Sequence, residues 1–249
     1  FPTRRSSDLA MTEQYLTDAE SALPLPAEGR LSELVLAQQL GTVVFASRRL
    51  SNIIGKTAVV IGQGSAGLFW AAMLRRLGAA RIIAMDIVPE RLAFSGRFGV
   101  DHAFNNSTQD PVATVAEATG GSMADIVIEA AGEAETITLA PKLLRQFGEL
   151  FLFGVPRDRD FHFDYATFFR TYATTMTSGG SMAEPGGKPS FRHALDLISR
   201  GEIDVTGMTT HRIPFDRLYE AYELARTRRD GALKVAVEMP PADRYRDRL

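Results

Sequence analysis

The chain has 249 residues, of which 45% are hydrophobic and 23% charged, with a formal net charge of −2 and no cysteine. That balance is ordinary for a globular protein and excludes collagen-like, coiled-coil and disordered classes. The lack of cysteine excludes disulfides, thiolate metal sites and a cysteine nucleophile within these residues. No run approaches the ~18 apolar residues that a membrane helix needs. The near-neutral charge gives no electrostatic case for a nucleic-acid or membrane partner.

In chain order, residues 1–9 (FPTRRSSDL) show neither periodicity nor the apolar core of a secretory signal. The string looks like a translated sequencing adapter, so the native sequence is expected to enter near Ala10, with its N-terminal portion missing. Pro24 and Pro26 mark an extended stretch and a turn. Leu31–Leu50 reads as a helix. Thr57–Gly62 (TAVVIG) is a short β-branched run typical of a buried strand. Ser65–Leu77 is an apolar helix stopped by Gly78. Arg81–Ile87 reads as a second strand, and Pro89 can open the next helix. Val100–Phe104 is a weak third strand, and Pro111–Ala118 a helix closed by Gly120 and Gly121. Asp125–Ala130 is the fourth strand, Glu133–Gln146 a helix, Glu149–Phe153 the fifth strand and Tyr172–Thr177 the sixth. Phe161–Tyr172 is dense in aromatics and is expected to be a buried helix beside the sheet edge. Gly179–Pro189 reads as a linker. Ser190–Arg200 and Phe215–Arg226 are later helices, with short strands near Val205–His211 and Leu233–Val237. The tail Pro240–Leu249 is expected to fray. Double-arginine pairs at 48–49, 75–76 and 228–229 fall near helix ends, where cations suit the carbonyl-rich terminus and stay solvated.

Strands alternating with helices, and strands that are continuous apolar runs, predict an α/β fold: a doubly wound, parallel, six-stranded sheet. The residues Gly62-Gln63-Gly64-Ser65-Ala66-Gly67 fit G-x-G-x-x-G, directly after a strand and at the start of a helix. Gly62 would make the tight turn, Gly64 would let the backbone approach a pyrophosphate, and Gly67 would let the helix pack on the sheet. The free N–H groups of the first helical turn, from Ser65 and Ala66 onward, would face that anion. Asp86 ends the next strand, 19 residues after Gly67. A carboxylate there accepts hydrogen bonds from ribose hydroxyls and repels a 2′-phosphate, which favours NAD over NADP. Two alternatives stay open at this level. Asp86 could simply cap the helix near Pro89, and proteins that bind S-adenosylmethionine for methyl transfer use a similar loop.

From about Glu13 to Glu238 the chain resembles the medium-chain dehydrogenase/reductase superfamily, the zinc-type alcohol, polyol and threonine dehydrogenases. The matching pieces are EQYL and SALPLP, VVIGQGSAGL through RIIAMDIVPERLAFSGRFGVD, DIVIEAAG, GELFLFGVP, MTTHRIPFDRLYEAYEL and ALKVAV. The resemblance implies a Rossmann coenzyme domain over residues 37–180. Remnants of a GroES-like catalytic domain would occupy 10–36 and 181–249. It implies that Arg91 also contacts the ribose, the alternative being a solvated helix-face arginine. It further implies that Ala130 and Ala131 line the groove from adenosine to nicotinamide. Phe153, Gly154 and Val155 would position the carboxamide, and Thr42 would lie beside the nicotinamide. The implied activity is hydride transfer between NAD and an alcohol or polyol in the cytoplasm, on a small-molecule substrate. A homodimer would pair through strand 173–178.

The departures from the family pattern matter. The family's zinc ligands come mainly from the absent domain, and one further ligand position falls at Gln38, a neutral and poor zinc ligand. His102, His162, His193 and His211 lie far apart, the first and last read as loop or strand-end residues and His193 as a helix-face residue. No catalytic residue and no metal ligand is therefore assigned. Zinc is left as a possibility for the intact parent, and a chain that holds NAD without turnover remains an alternative.

Overall fold

The structure is a computed structural model that describes residues 19, 22–177 and 179–240. The expectations for residues 1–9 and for the tail beyond Pro240 lie outside the described residues. In chain order the elements are α1 (Leu31–Leu34), α2 (Ala37–Ser47), β1 (Thr57–Ile61), α3 (Ser65–Arg76), β2 (Arg81–Asp86), α4 (Pro89–Ser95), β3 (His102–Asn105), α5 (Pro111–Ala118) and β4 (Ala124–Glu129). They continue as α6 (Ala134–Leu139), β5 (Leu144–Leu152), α7 (Tyr165–Phe169), β6 (Thr174–Thr177), α8 (Pro189–Ser199), β7 (Thr209–Pro214), α9 (Leu218–Thr227) and β8 (Lys234–Glu238).

The first six strands form one parallel sheet in the order β3-β2-β1-β4-β5-β6. The α/β, doubly wound expectation is met. β7 and β8 pair in parallel as a separate two-stranded sheet. In the large sheet β1 is central: Val60 lies between Ala84 of β2 and Ile128 of β4.

Side chains alternate between the faces of a strand, and each face here has its own core. Ala58, Val60, Ile82, Ile126, Ile128 and Phe151 pack beneath α2, α3 and α8. Val59, Ile61, Ile83, Met85, Val127 and Leu150 pack beneath Val115 of α5 and Ala140 and Leu143. Burial on both faces explains why these strands are continuous apolar runs in the sequence.

Several boundaries differ from expectation. The helix expected over Leu31–Leu50 is two helices, with Val35 and Leu36 between them; the break lets Leu34 and Leu36 both bury. The helix expected over Glu133–Gln146 stops at Leu139 and tightens into a 3-10 turn, Ala140–Leu143. Pro141 has no N–H to continue the α-helical ladder. β5 therefore starts at Leu144, and its register against β4 shifts between Ala124 and Ile126.

The expected buried helix at Phe161–Tyr172 is overturned. Only the five-residue α7 forms there, capped by Asp164, whose Oδ1 accepts from the Thr167 amide at 3.0 Å. Tyr165, Phe169 and Tyr172 are exposed. A helix this short offers no continuous face to bury.

The arginine pairs sit at helix ends as expected but are not merely solvated. Arg75 donates to the carbonyls of Ala79 and Gly99, and Arg49 to that of Thr177. His193 lies on the exposed face of α8, and His102 opens β3. His211 is instead internal to β7.

Two carboxylates anchor the ends of the sheet. At one end Glu149 accepts from Lys56 Nζ at 2.8 Å and from the Ser51 amide at 2.9 Å. Burial alone would raise its pKa, but these bonds hold it below the usual glutamate range. At the other end, Glu129 closes β4 and is fully buried. Its Oε1 accepts from the amides of Ala131 and Gly132, each at 2.9 Å, and from Thr136 Oγ1 at 2.8 Å. Its Oε2 has no partner. Burial outweighs the hydrogen bonds that favour the ionised form and pushes this carboxyl up.

Three outcomes follow for stability. Ile126→Ala, in a fully buried site, should cost about 2–5 kcal/mol in urea unfolding. Ile54→Ala, at a side chain 73% exposed, should cost less than about 0.5 kcal/mol. Glu129 binds its proton more tightly in the folded than in the unfolded chain, so its contribution is complete below the ordinary value of 4.5 and declines as pH rises through the folded value. The stability of wild type relative to Glu129→Gln should therefore decrease from pH 4.5 to 8 in thermal unfolding. A difference that stays constant would contradict the raised pKa.

Candidate functional site

In an open parallel sheet, ligands bind beyond the carboxyl ends of the strands, where the strand order reverses. Here that point lies between β1 and β4, and a cleft of about 230 Å³ opens there. Three strand-end loops meet around it, contributing Gly62, Gly64, Ser65 and Ala66 after β1, Asp86 and Arg91 from the β2–α4 corner, and Ala130 and Ala131 after β4.

The turn after β1 has the backbone that its glycines allow. Gly62 has φ +90°, and its amide donates to the Met85 carbonyl at 2.8 Å. A Cβ on Gly67 would lie 1.8 Å from the Gly62 carbonyl oxygen, so no other residue fits between helix and strand end. Around Gly64 the nearest atom to a built Cβ is Arg91 Nη1 at 3.8 Å. That leaves a bare backbone edge on the cleft. Gly64 is the N-cap of α3, and no side chain caps the helix. The first-turn amides of α3 are thus left for an anion, which the helix dipole also favours.

Gln63 does not face the cleft. It is fully buried, its amide donates to Asp86 Oδ2 at 2.6 Å, and its side chain bonds the Gly62 carbonyl and Ser95 Oγ. Gly67 likewise serves packing and is absent from the cleft wall.

Asp86 is buried, at 8% exposure, yet lines the cleft. Its Oδ1 accepts from the Val88 amide at 2.9 Å, so it holds the entry to α4 as well as the glycine loop. Each carboxylate oxygen keeps a further lone pair for a ligand hydroxyl. Arg91 donates from Nη2 to the Ala232 carbonyl at 3.0 Å, while its buried Nε has no partner.

The remaining candidates are not on the cleft wall. Thr42 Oγ1 donates within its own helix to the Gln38 carbonyl at 3.2 Å. The Phe153 ring packs edge-on against Trp70 at 5.5 Å. Gly154 is pressed against the Gly132 loop, where a Cβ would come within 2.4 Å of the Gly132 nitrogen. Val155 is exposed.

Sequence reasoning missed other cleft residues: Gln39, Asn106, Glu133, Thr136 and Arg228. Arg228 was expected at a solvated helix end. It pairs instead with Glu133 Oε1 at 2.8 Å, beside Arg157 at 3.2 Å from the same oxygen. Nothing in local spacing signals a pair 95 residues apart. A larger apolar groove of about 1290 Å³ lies against β8 and contains none of the coenzyme candidates. Gln38 lines it rather than the cleft, as does Lys234, whose pKa burial pulls down.

For metal, the donor set does not fit. The sequence has no cysteine, and no group of three or more His, Asp or Glu among the described residues is placed to hold an ion. No helix among the described residues is long and apolar enough to cross a membrane.

Comparison with known proteins agrees with this geometry. The family model described as zinc-binding dehydrogenase matches residues 66–215. An alcohol dehydrogenase of Cupriavidus necator is 30% identical over 225 residues, 89% of this chain and 60% of that protein. An L-threonine 3-dehydrogenase of Bacillus velezensis is 26% identical over 87% of this chain and 61% of its own length. The solved alcohol dehydrogenase TADH from Thermus sp. ATN1 superposes with a TM-score of 0.72 at 26% identity, covering 86% of this chain and 60% of that one. The chain thus spans about 60% of the length of the relatives it matches. The chain belongs to the zinc-binding dehydrogenase family of the medium-chain dehydrogenase/reductase superfamily.

Proposed function

We propose that this chain supplies the coenzyme site of an NAD-dependent oxidoreductase acting on an alcohol or polyol. The observation that carries the reading is the meeting, across one cleft, of the uncapped first turn of α3 with the Asp86 carboxylate. A dinucleotide offers complementary groups in that order, an anionic diphosphate and then a ribose diol. At Gly64 a built Cβ would meet only Arg91 Nη1, at 3.8 Å, which leaves the backbone open to an anion. Asp86 accepts from the ribose hydroxyls and repels a 2′-phosphate, which selects NAD. Arg91 flanks the same sugar.

Residues 37–180 form the coenzyme unit in this reading, with 10–36 and 181–249 belonging to the catalytic domain. The loops holding Ala130–Ala131 and Phe153–Val155 guide the nicotinamide end, and Thr42 lies beside it. The nicotinamide, when bound, accepts or supplies the hydride, and the protein supplies orientation. No step is routed through zinc, since the donor set does not fit one. That same donor set favours a second reading, in which these 249 residues hold NAD without turnover. Oxidation of simple secondary alcohols by the chain with added zinc would defeat the second reading.

Replacing Asp86 by Gly should weaken NAD binding about tenfold or more and reduce discrimination against NADP, as measured by calorimetric titration. Unchanged affinities for both would remove the ribose assignment. A chain that ignores NADH but binds S-adenosylmethionine would remove the oxidoreductase reading. β6, with one edge unpaired among the described residues, is the proposed homodimer contact. Sedimentation at micromolar concentration should give a dimer, and a monomer there would count against that contact.

A further inference from the structure

Ser65 is the first residue of α3, but its hydroxyl does not cap its own helix. It donates instead to Gln39 Oε1 on α2, at 2.5 Å and 26 residues away in sequence. The Gln39 side chain is half-buried and forms the cleft wall beside Gly64, Ser65 and Ala66. With Oε1 committed to the serine, the amide's two N–H donors remain. Among the described residues Gln39 Nε2 has no acceptor. Neither carboxylate of the same wall accepts from Gln39: Asp86 accepts from the Gln63 and Val88 amides, and Glu133 pairs with Arg157 and Arg228. A pair of oriented donors therefore stands next to backbone amides that already favour an anion.

We propose that Gln39 is a coenzyme-positioning residue whose Nε2 donates to the diphosphate lying along the first turn of α3. The Ser65 hydroxyl fixes the amide so that its N–H face, not its carbonyl, meets the anion. The inference rests on the dinucleotide reading above and adds α2 to the elements that hold the ligand. A neutral donor placed on a charged acceptor is worth more than one placed on a neutral acceptor. The effect should accordingly follow the diphosphate and not the adenosine.

The experiment is calorimetric titration of the full chain and its variants with NADH, ADP and adenosine, with circular dichroism melting to confirm folding. Wild type that binds neither NADH nor ADP defeats the dinucleotide reading itself, and this inference with it. Given wild-type binding, Gln39→Leu should weaken NADH and ADP about tenfold and leave adenosine unchanged. Gln39→Glu sets a carboxylate against the diphosphate and should weaken ADP more than Gln39→Leu does at pH 8. Ser65→Ala frees the amide to rotate and should weaken ADP by a smaller factor. ADP affinity unchanged in a folded Gln39→Leu chain would overturn the inference while leaving the coenzyme site standing. An equal loss for adenosine would also overturn it, because a general distortion of the cleft would then explain the result.

Discussion

The cleft depends on one approach of backbone to backbone, in which the first turn of α3 sits directly on the carbonyl of Gly62 because Gly67 has no side chain to hold them apart. The contact is held from both sides. On the strand side, the Gly62 amide donates to Met85 of β2 and the Ala130 amide donates to Ile61 of β1, so the turn is tied to both neighbouring strand ends. On the helix side, Leu68, Phe69, Trp70 and Leu74 are fully buried, and Trp70 lies 5.1 Å from the Phe151 ring of β5. Apolar burial of this size, roughly 1.5–3 kcal/mol for a large side chain, presses the helix onto the sheet. Its amino end is thereby aimed at the space beyond the strands.

That geometry sets the electrostatics. An uncapped helix start is a weak anion site by itself, yet here it is one wall of a cleft whose other walls hold Arg91 and Arg228 as well as Asp86 and Glu133. The charges are arranged with local purpose. Glu133 is balanced by two arginines. Asp86 is held by backbone amides that leave it free to accept more. Glu129, just below the surface, is a different kind of carboxylate. It organises the turn that presents Ala131 to the cleft, and its burial favours the neutral form. Two acidic residues at the carboxyl ends of β2 and β4, the strands on either side of β1, thus have different surroundings.

The parts of the site that come from consecutive residues were legible in the sequence. Glycine spacing, the strand before it and the acid at the end of the next strand all follow from what one β-turn-α unit and its neighbour require. The alternation of apolar runs with helical stretches also determined the class of fold, because a strand covered on both faces must be apolar throughout. Even within the loop, however, Gln63 turned inward. A motif marks positions without saying which atoms reach a ligand.

What the tertiary structure alone decided are the contacts between distant segments and the elements whose limits depend on them. Pro141 ended a helix early, and the register shift that followed lengthened β5, while of the aromatics in 161–172 Phe168 packs against a core and Tyr165, Phe169 and Tyr172 stay exposed. Gln39 met Ser65, and Arg228 met Glu133, through the packing of α2 and the chain after α9 against the strand ends. Local propensity is a property of a few neighbouring residues, whereas these pairs exist only once the sheet has brought separated chain segments within hydrogen-bond reach. The amino-acid order therefore determined the repeating α/β scaffold and its glycine-rich loop by short-range backbone sterics and hydrophobic pattern. Which side chains complete the cleft was left to long-range packing, where no spacing rule operates.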